Sequence, residues 1–259
     1  MEEINNVIVR YGEIGIKGQN RSYFEKYLIK NIKDCLNKNK IVYDRIIRYP
    51  GRIMIVTNDK CLCLKKVFGI VSFSPAIKTN NDFEEVKILA LKLYTKGSFR
   101  ISAQRLNKNF NLSSNELNNK LGEYMINKTK AKVNLEKPDC NIGVEVMDHT
   151  YLFNETYPGV KGLPVGVEGL VTLDIEDKKD IISGILMMKR GCSLEVINKK
   201  NINIDKLFEY SYGKTVNLVD KPSGYSLALV KTMSLKNLKN KIDNKILFSP
   251  LIKNEEHIY

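Results

Sequence analysis

The sequence has no tryptophan and only two histidines, His149 and His257, which lie far apart in the chain. A catalytic or metal site based on histidine therefore has little support. Cysteine is also sparse: five residues are scattered along the chain, and Cys61-x-Cys63 lacks the spacing and the second pair of a zinc site. We therefore expect reduced thiols in apolar surroundings and no metal site.

Long apolar runs are absent as well. No segment approaches the length of a membrane-spanning helix, and the acidic start Met1-Glu2-Glu3 does not resemble a signal peptide. We therefore expect a cytoplasmic protein. At 259 residues, of which 43% are hydrophobic, the chain can bury a sizeable core in two or three small domains.

Acidic residues are too few to balance the basic ones, and the net charge is +13. The excess is uneven: residues 166–259 carry 15 Lys and Arg against 12 Asp and Glu, a net charge of +3. From totals of 42 and 29, this leaves 27 against 17 in residues 1–165, or +10. Such an excess suits a polyanion, with nucleic acid first and an anionic membrane surface second.

The first part of the chain has the pattern of a small α+β unit of the ferredoxin type. A β-rich run is followed by a glycine-punctuated loop, an amphipathic helix and two strands joined by Pro50-Gly51. The predicted βαββα elements are a strand at Val7–Tyr11, a helix at about Arg21–Asn37, strands at Arg45–Tyr49 and Arg52–Thr57, and a short helix at Lys60–Val67.

A second compact α/β module follows from Phe68. Residues 99–105 alternate between apolar and polar side chains, which predicts a strand with one buried face. Ser113-x-x-Glu116 is a capping box that predicts the start of a helix. The other predicted elements are a helix at about Asp82–Lys96 and strands at Lys132–Leu135, Gly143–Met147 and Thr150–Asn154.

The third part contains a predicted βαβ unit. Its elements are a strand at Leu170–Leu173, a loop at Asp174–Asp180, a helix at Ile181–Cys192 and a strand at Leu194–Ile197. Such units bind phosphates on the helix N-terminus, beyond the first strand. Here the loop has no glycine and four acids, so it should repel a phosphate. We interpret these acids as helix caps rather than as a metal site.

Basic and amide side chains on loops and strand edges are candidates for contacts with phosphate and sugar. A solvated surface is the other interpretation of such scattered charge. Tyr11, Tyr49 and Phe110 could stack on exposed bases, although most aromatic side chains lie in the core. The candidate RNA-binding residues are Arg10, Lys17, Asn20, Arg21, Arg52, Arg100, Gln104, Arg105, Lys108, Lys132 and Lys161.

Five segments together resemble the tRNA 4-thiouridine synthetases, or tRNA sulfurtransferases. They are Arg10–Arg21 except for Gln19, Gly51-Arg52, Val67–Ala76 except for Val71, Lys137-Pro138-Asp139 and Gly162–Gly166. The resemblance implies an N-terminal ferredoxin-like domain and a THUMP domain that bind the tRNA acceptor end, followed by a PP-loop domain that adenylates a uridine so that sulfur can replace its oxygen. It further implies that Arg10, Lys17, Arg21, Arg100, Arg105 and Lys108 belong to, or border, the tRNA-facing surface.

The third domain departs from the family pattern. Counting back from the retained Met187–Cys192 places Ile175, Glu176, Asp177, Lys178, Lys179 and Asp180 on the pyrophosphate loop, where the family has Ser-Gly-Gly-x-Asp-Ser. Every position is changed, and the two glycines that let backbone approach phosphate are replaced by acids. The Thr-Gly-Glu motif is also missing around Val230–Met233. We interpret Cys192 as a structural rather than a reactive thiol.

The sequence thus predicts an α/β protein with three parts: a ferredoxin-like domain (1–67), a THUMP domain (68–166) and a shortened, degenerate, Rossmann-like PP-loop remnant (167–259). We predict a non-catalytic tRNA-binding protein that presents the acceptor end to a modification enzyme acting in trans and needs no cofactor. One alternative is an active or split sulfurtransferase, which would use ATP and Mg²⁺. Others are a THUMP adaptor for a tRNA acetyltransferase or methyltransferase, and a nonspecific RNA-binding protein. Whether the protein forms a homodimer does not follow from the sequence.

Overall fold

The computed structural model describes residues 4–108, 110–234, 247–248, 250 and 252–253. The chain divides into two compact units. Unit 1 consists of Met1–Arg10, Ile41–Leu62 and Ser72–Tyr157, and unit 2 consists of Tyr11–Lys40, Cys63–Val71 and Pro158–Tyr259. Within the described ranges, no helix combines the length and the apolar character needed to cross a membrane.

The secondary structure is mixed throughout. The first part contains β1 (Asn6–Tyr11), 3-10 helices at Glu13–Ile16 and Gly18–Asn20, α1 (Arg21–Lys38), β2 (Arg45–Tyr49), β3 (Arg52–Val56), a 3-10 helix at Leu62–Lys66 and β4 (Ile70–Thr79). Next come α2 (Phe83–Leu93), β5 (Phe99–Arg105), α3 (Ser114–Thr129), β6 (Cys140–Val146), β7 (Thr150–Phe153) and β8 (Tyr157–Pro158). The last part contains β9 (Leu170–Asp174), α4 (Lys178–Lys189), β10 (Ser193–Ile197), α5 (Asp205–Phe208), β11 (Val216–Leu218), β12 (Leu229–Val230), β13 (Met233–Ser234), β14 (Leu247–Phe248) and β15 (Ile252–Lys253). The predicted α/β class is confirmed.

Unit 1 is built on a mixed sheet with the order β2-β3-β1-β4-β7-β6-β5, in which β8 pairs with β4. Helices α2 and α3 bury Val86, Leu117 and Leu121 against the apolar face of β5 and β6. The predicted alternation of β5 is confirmed, since Phe99, Ile101 and Ala103 are buried. The opposite face of β5 is therefore left for its polar side chains.

Local capping explains the helix boundaries in unit 1. The predicted capping box is present: the Glu116 N–H donates to Ser113 Oγ (3.2 Å), and the Ser113 N–H donates to Glu116 Oε2 (2.8 Å). Helix α2 is shorter than predicted, because the Asp82 side chain caps its start and the chain becomes extended at Tyr94. The predicted short helix after β3 is a 3-10 helix.

The predicted strand at Lys132–Leu135 is wrong. Only Val133 bridges to β5, opposite Phe99. The reason is local: Asn134 Oδ1 accepts hydrogen bonds from the N–H groups of Glu136 and Lys137, both at 3.1 Å. Such a side-chain turn competes with strand pairing.

Unit 2 contains a parallel sheet with the order β11-β10-β9-β12-β14. Helix α4 follows β9 and packs on this sheet, where Gly184 lies close to Leu173 and Leu194. Helix α1 belongs to the same unit, and its Asn31 Nδ2 donates to the Val165 carbonyl (3.1 Å). Strand β9 pairs with β10 on one side and with β12 on the other. The order of the strands along the chain therefore reverses between β9 and β12, which leaves a crevice at the carboxyl ends of these two strands. Open α/β sheets bind ligands at such a point.

Candidate nucleic-acid interface and nucleotide crevice

One buried carboxylate organises the polar face of the unit 1 sheet. Glu145 lies on β6, and its side chain is only 3% exposed. Its Oε1 accepts from Arg10 Nε (2.7 Å) and its Oε2 from Arg52 Nε (2.8 Å). Arg52 Nη2 also donates to Gln104 Oε1 (2.5 Å), and Gln104 stands beside Glu145 in the parallel β5–β6 register. The sheet thus fixes two guanidinium groups on one carboxylate.

Arg10 is held from several sides. Its Nη1 donates to Ser74 Oγ (3.0 Å), and its guanidinium carbon lies 4.7 Å from the centre of the Phe153 ring. Burial lowers the pKa of Arg10, and the Glu145 carboxylate opposes that effect. Arg10 thus links β1 to Glu145, Ser74 and Phe153, whether or not it also contacts RNA.

The other candidates in unit 1 are more open. Arg100 Nε donates to Asn141 Oδ1 (3.1 Å), and its Nη1 donates to the Leu135 carbonyl (2.9 Å). Arg105 Nη1 donates to the Phe110 carbonyl (3.1 Å). Lys108 and Lys132 are exposed. Arg100 and Arg105 are already oriented, Lys108 and Lys132 are accessible, and all four can donate hydrogen bonds to phosphate oxygens.

Four candidates lie in unit 2. Arg21 donates to Glu25 Oε1 (2.8 Å) and to the Tyr11 hydroxyl (2.7 Å), so part of its donor capacity is used internally. Lys17 Nζ lies 3.9 Å from a Glu168 oxygen. Asn20 and Lys161 are exposed. The predicted RNA-binding residues are thus divided between the units, seven in unit 1 and these four in unit 2.

The aromatic candidates favour the core interpretation. Tyr11 and Phe110 are each 8% exposed. Burial raises the pKa of Tyr11, as does its hydrogen bond to Glu25. Tyr49 donates its hydroxyl to Asp148 Oδ2 (2.8 Å). Two of the three rings are therefore buried, and the third belongs to a tyrosine whose hydroxyl is bound to Asp148.

The acids after β9 form a helix cap. Helix α4 begins at Lys178, three residues earlier than predicted, because Asp177 caps the Lys179 N–H (2.6 Å) and forms a capping box with Asp180. Asp180 is 2% exposed. Its Oδ2 accepts from the N–H groups of Glu176 and Asp177, both at 2.9 Å. The interpretation as helix caps is confirmed for Asp177 and Asp180, whereas Asp174 and Glu176 lie against Lys231 instead.

Residues that follow β12 also contact the acids at the crevice between β9 and β12. Asp180 Oδ1 accepts from the Thr232 N–H (2.9 Å), and the Thr232 hydroxyl lies 2.9 Å from Ser183 Oγ. Lys231 forms an ion pair with Glu176, and its Nζ lies 3.9 Å from an Asp174 oxygen. Four N–H groups around this helix start, those of Glu176, Asp177, Lys179 and Thr232, thus already donate to the protein's own carboxylates and are not free for a phosphate.

Cys192 lies at the wall of a cavity of about 520 Å³ in unit 2, together with Lys17, Glu168 and Arg190. The thiol is buried, and burial raises its pKa, with Glu168 adding to the effect. A raised pKa reduces the thiolate that would act as a nucleophile. Among the described residues, no group of His, Cys, Asp and Glu is arranged to hold a metal ion.

Comparison with known proteins identifies the family. Residues 6–74 match the model of the ThiI ferredoxin-like domain, and residues 81–154 match that of the THUMP domain. A probable tRNA sulfurtransferase of Thermococcus kodakarensis is 34% identical over 256 residues, which cover 89% of this chain and 67% of that protein. The chain belongs to the tRNA sulfurtransferase family. The resemblance stated from the sequence motifs is confirmed.

Other members of the tRNA sulfurtransferase family are longer than this chain. A probable tRNA sulfurtransferase of Mycoplasmopsis synoviae is 36% identical over 197 residues, covering 74% of this chain and 50% of that protein. In Mycoplasmopsis agalactiae the match is 35% over 228 residues and covers 57% of the relative. The chain therefore spans about half to two thirds of the length of these curated relatives.

Two solved structures share the architecture. PH1313 from Pyrococcus horikoshii is 32% identical, with a TM-score of 0.85 and coverage of 97% of this chain and 96% of that one. A 4-thiouridine synthetase solved as an RNA complex with bound ATP is 29% identical, with a TM-score of 0.68 and coverage of 83% and 61%. PH1313 thus matches this chain over nearly the whole length of both chains.

Sequence reasoning missed Glu145 and Lys231, although both organise the sites described above. Glu145 is the polar residue that interrupts the apolar side chains of β6, which was an available signal. Lys231 follows a two-residue strand that the sequence did not predict, so its approach to Glu176 had no local signal.

Proposed function

We propose that this protein binds tRNA by its acceptor end without activating a nucleotide and presents the tRNA to a modification enzyme acting in trans. The observation that carries the proposal is the position of Asp180, whose carboxylate occupies three backbone N–H groups at the crevice between β9 and β12. The ferredoxin-like and THUMP modules supply the tRNA-binding part, with domain boundaries near residues 67 and 166.

Charge supports the proposal that no ATP binds. A phosphate at the start of α4 would have to displace Asp180 and would meet Glu176 and Asp177 as well. Each pair of like charges about 4 Å apart costs about 1 kcal/mol in water and about 4 kcal/mol near a protein surface. The crevice lies where open α/β sheets bind nucleotides, but its carboxylates would repel a phosphate.

Family membership and the exposed basic side chains support tRNA as the ligand. The 29% identical 4-thiouridine synthetase was solved with RNA, and this chain has a THUMP match at residues 81–154. The residues proposed for the interface are the eleven named from the sequence. Lys108 and Lys132 are the most accessible of the charged candidates in unit 1, whereas Arg10 and Arg52 are bound to the buried Glu145.

The names of the relatives favour a second candidate, an active sulfurtransferase. It would need an unusual nucleotide site or a second chain that supplies ATP and Mg²⁺ binding. An adaptor for a tRNA acetyltransferase or methyltransferase uses the same tRNA-binding surface. Identification of the enzyme that co-purifies with the protein separates these candidates.

We expect intact tRNA to bind more tightly than tRNA without its 3′ end, and more tightly than a random RNA of the same length. The reason is that recognition of the acceptor end adds to nonspecific phosphate contacts. Filter binding with purified protein at about 0.15 M salt measures all three affinities, because affinity depends strongly on salt. Equal affinity for the three RNAs would contradict acceptor-end recognition and indicate nonspecific binding.

A further inference from the structure

The exposed face of α1 carries a row of lysines that the sequence-derived interface does not include. Lys26, Lys30 and Lys33 are all exposed and follow at spacings of four and three residues. These spacings place them next to one another on one face of a helix. With a rise of about 1.5 Å per residue, the row extends about 10 Å along the helix axis.

Both acids of α1 are bound to partners outside this lysine row. Glu25 is buried and accepts from Arg21 and from the Tyr11 hydroxyl. Asp34 pairs with Lys38 Nζ (2.8 Å) and accepts from the Gly213 N–H (2.8 Å). Within the described part of the chain, no ion pair reaches any of the three lysines of the row.

The positions of the charged residues in α1 lower the stability of the helix. Its first turn contains Arg21 and no acid, and Lys26 and Lys30 form a like-charge pair at a spacing of four. Such a like-charge pair destabilises a helix. Helix α2 has the opposite arrangement, with Glu84 in its first turn bound to Lys87 at 2.6 Å. An uncompensated positive row fits a ligand that brings its own negative charges.

The rest of α1 favours RNA over a membrane as that ligand. A helix that lies on a membrane inserts an apolar face, but Leu28, Ile32 and Leu36 are fully buried in the protein. At the N-terminal end of the row, the rings of Tyr23 and Tyr27 lie 4.9 Å apart, and Tyr23 is 49% exposed. Aromatic rings beside lysines suit a nucleic-acid strand.

We propose that Lys26, Lys30 and Lys33 form a phosphate-binding surface for the tRNA backbone, in addition to the eleven residues proposed above. This inference rests on the proposed tRNA-binding function. The row contacts sugar-phosphate backbone and not base edges, so it adds affinity without adding sequence preference.

The test compares two triple variants of the full chain. Lys26→Gln/Lys30→Gln/Lys33→Gln removes the row. The control, Lys178→Gln/Lys179→Gln/Lys206→Gln, removes three exposed lysines of the same unit that lie among acids, so both variants lose the same net charge. For each protein, the tRNA dissociation constant is measured over a range of salt concentrations, and circular dichroism records thermal unfolding.

The row variant is expected to reduce the slope of log affinity against log salt by about 2 to 3, because each lost phosphate contact contributes about 0.7–0.9. The control should keep the wild-type slope, and the row variant should melt at the wild-type temperature or slightly above it. Equal slopes for the two variants would overturn the inference while leaving tRNA binding intact. Failure of the wild-type protein to bind tRNA would instead reject the proposed function.

Discussion

Replacing Glu145 by glutamine is expected to lower the free energy of unfolding by about 3–5 kcal/mol. The change leaves Arg10 and Arg52, whose side chains are each 15% exposed, without their shared counter-charge. Removing one partner of a buried ion pair has this large effect because the remaining charge stays desolvated. Urea unfolding followed by circular dichroism measures the loss.

Glu155→Gln is the matched control for that experiment. Glu155 also forms an ion pair in unit 1, with Lys60 at 2.8 Å, but its side chain is 42% exposed. An exposed pair contributes about 0–1 kcal/mol. If Glu145→Gln and Glu155→Gln unfold at the same urea concentration, the network around Glu145 does not hold the sheet face in place.

The second large effect is expected at Asp180. Asp180→Ala removes the acceptor of three backbone N–H groups, one of them on Thr232, in a position that is 2% exposed. Loss of a cap costs about 0.5–2 kcal/mol, and a buried N–H left unpaired costs about 1–3 kcal/mol. We therefore expect unit 2 to lose about 3 kcal/mol of stability, measured by urea unfolding.

Glu176→Gln provides the comparison in the same loop, because Glu176 is about half exposed and its ion pair with Lys231 lies at the surface. Its expected cost is below about 1 kcal/mol. If Asp180→Ala is as stable as the wild-type protein, the cap is not needed, and Asp180 does not close the crevice.

Periodicity and capping signals were sufficient to predict most of the fold. The alternation of β5, the Ser113–Glu116 capping box and the βαβ order of the third part all follow from local rules, and the structure has them. These features depend on residues within a few positions of one another. Sequence patterns report such neighbours well.

Features that depend on distant partners could not be predicted. Glu145 meets Arg10 and Arg52 across 135 and 93 residues, and no local pattern gives the strand order that brings them together. The start of α4 did have a signal, since Asp177-x-x-Asp180 has the spacing of a capping box with Asp in place of Glu. It was missed because the first turn lacks the apolar periodicity by which the helix was recognised.

We propose that this chain holds tRNA but does not activate it. The ferredoxin-like and THUMP matches cover the part that we propose to hold tRNA, and the loop before α4 carries Glu176, Asp177 and Asp180, which we interpret as replacing a pyrophosphate loop. Fold similarity alone does not transfer an activity, because activity depends on the residues of the site.

Equilibrium dialysis of ATP and Mg²⁺ against the purified protein, with and without bound tRNA, shows whether the crevice between β9 and β12 takes a nucleotide. We expect tRNA to be bound and no ATP to be retained above its concentration in the buffer, because Asp180 occupies three N–H groups of the crevice. Saturable retention of ATP, lost in Lys178→Gln/Lys179→Gln, would contradict it and favour an active sulfurtransferase.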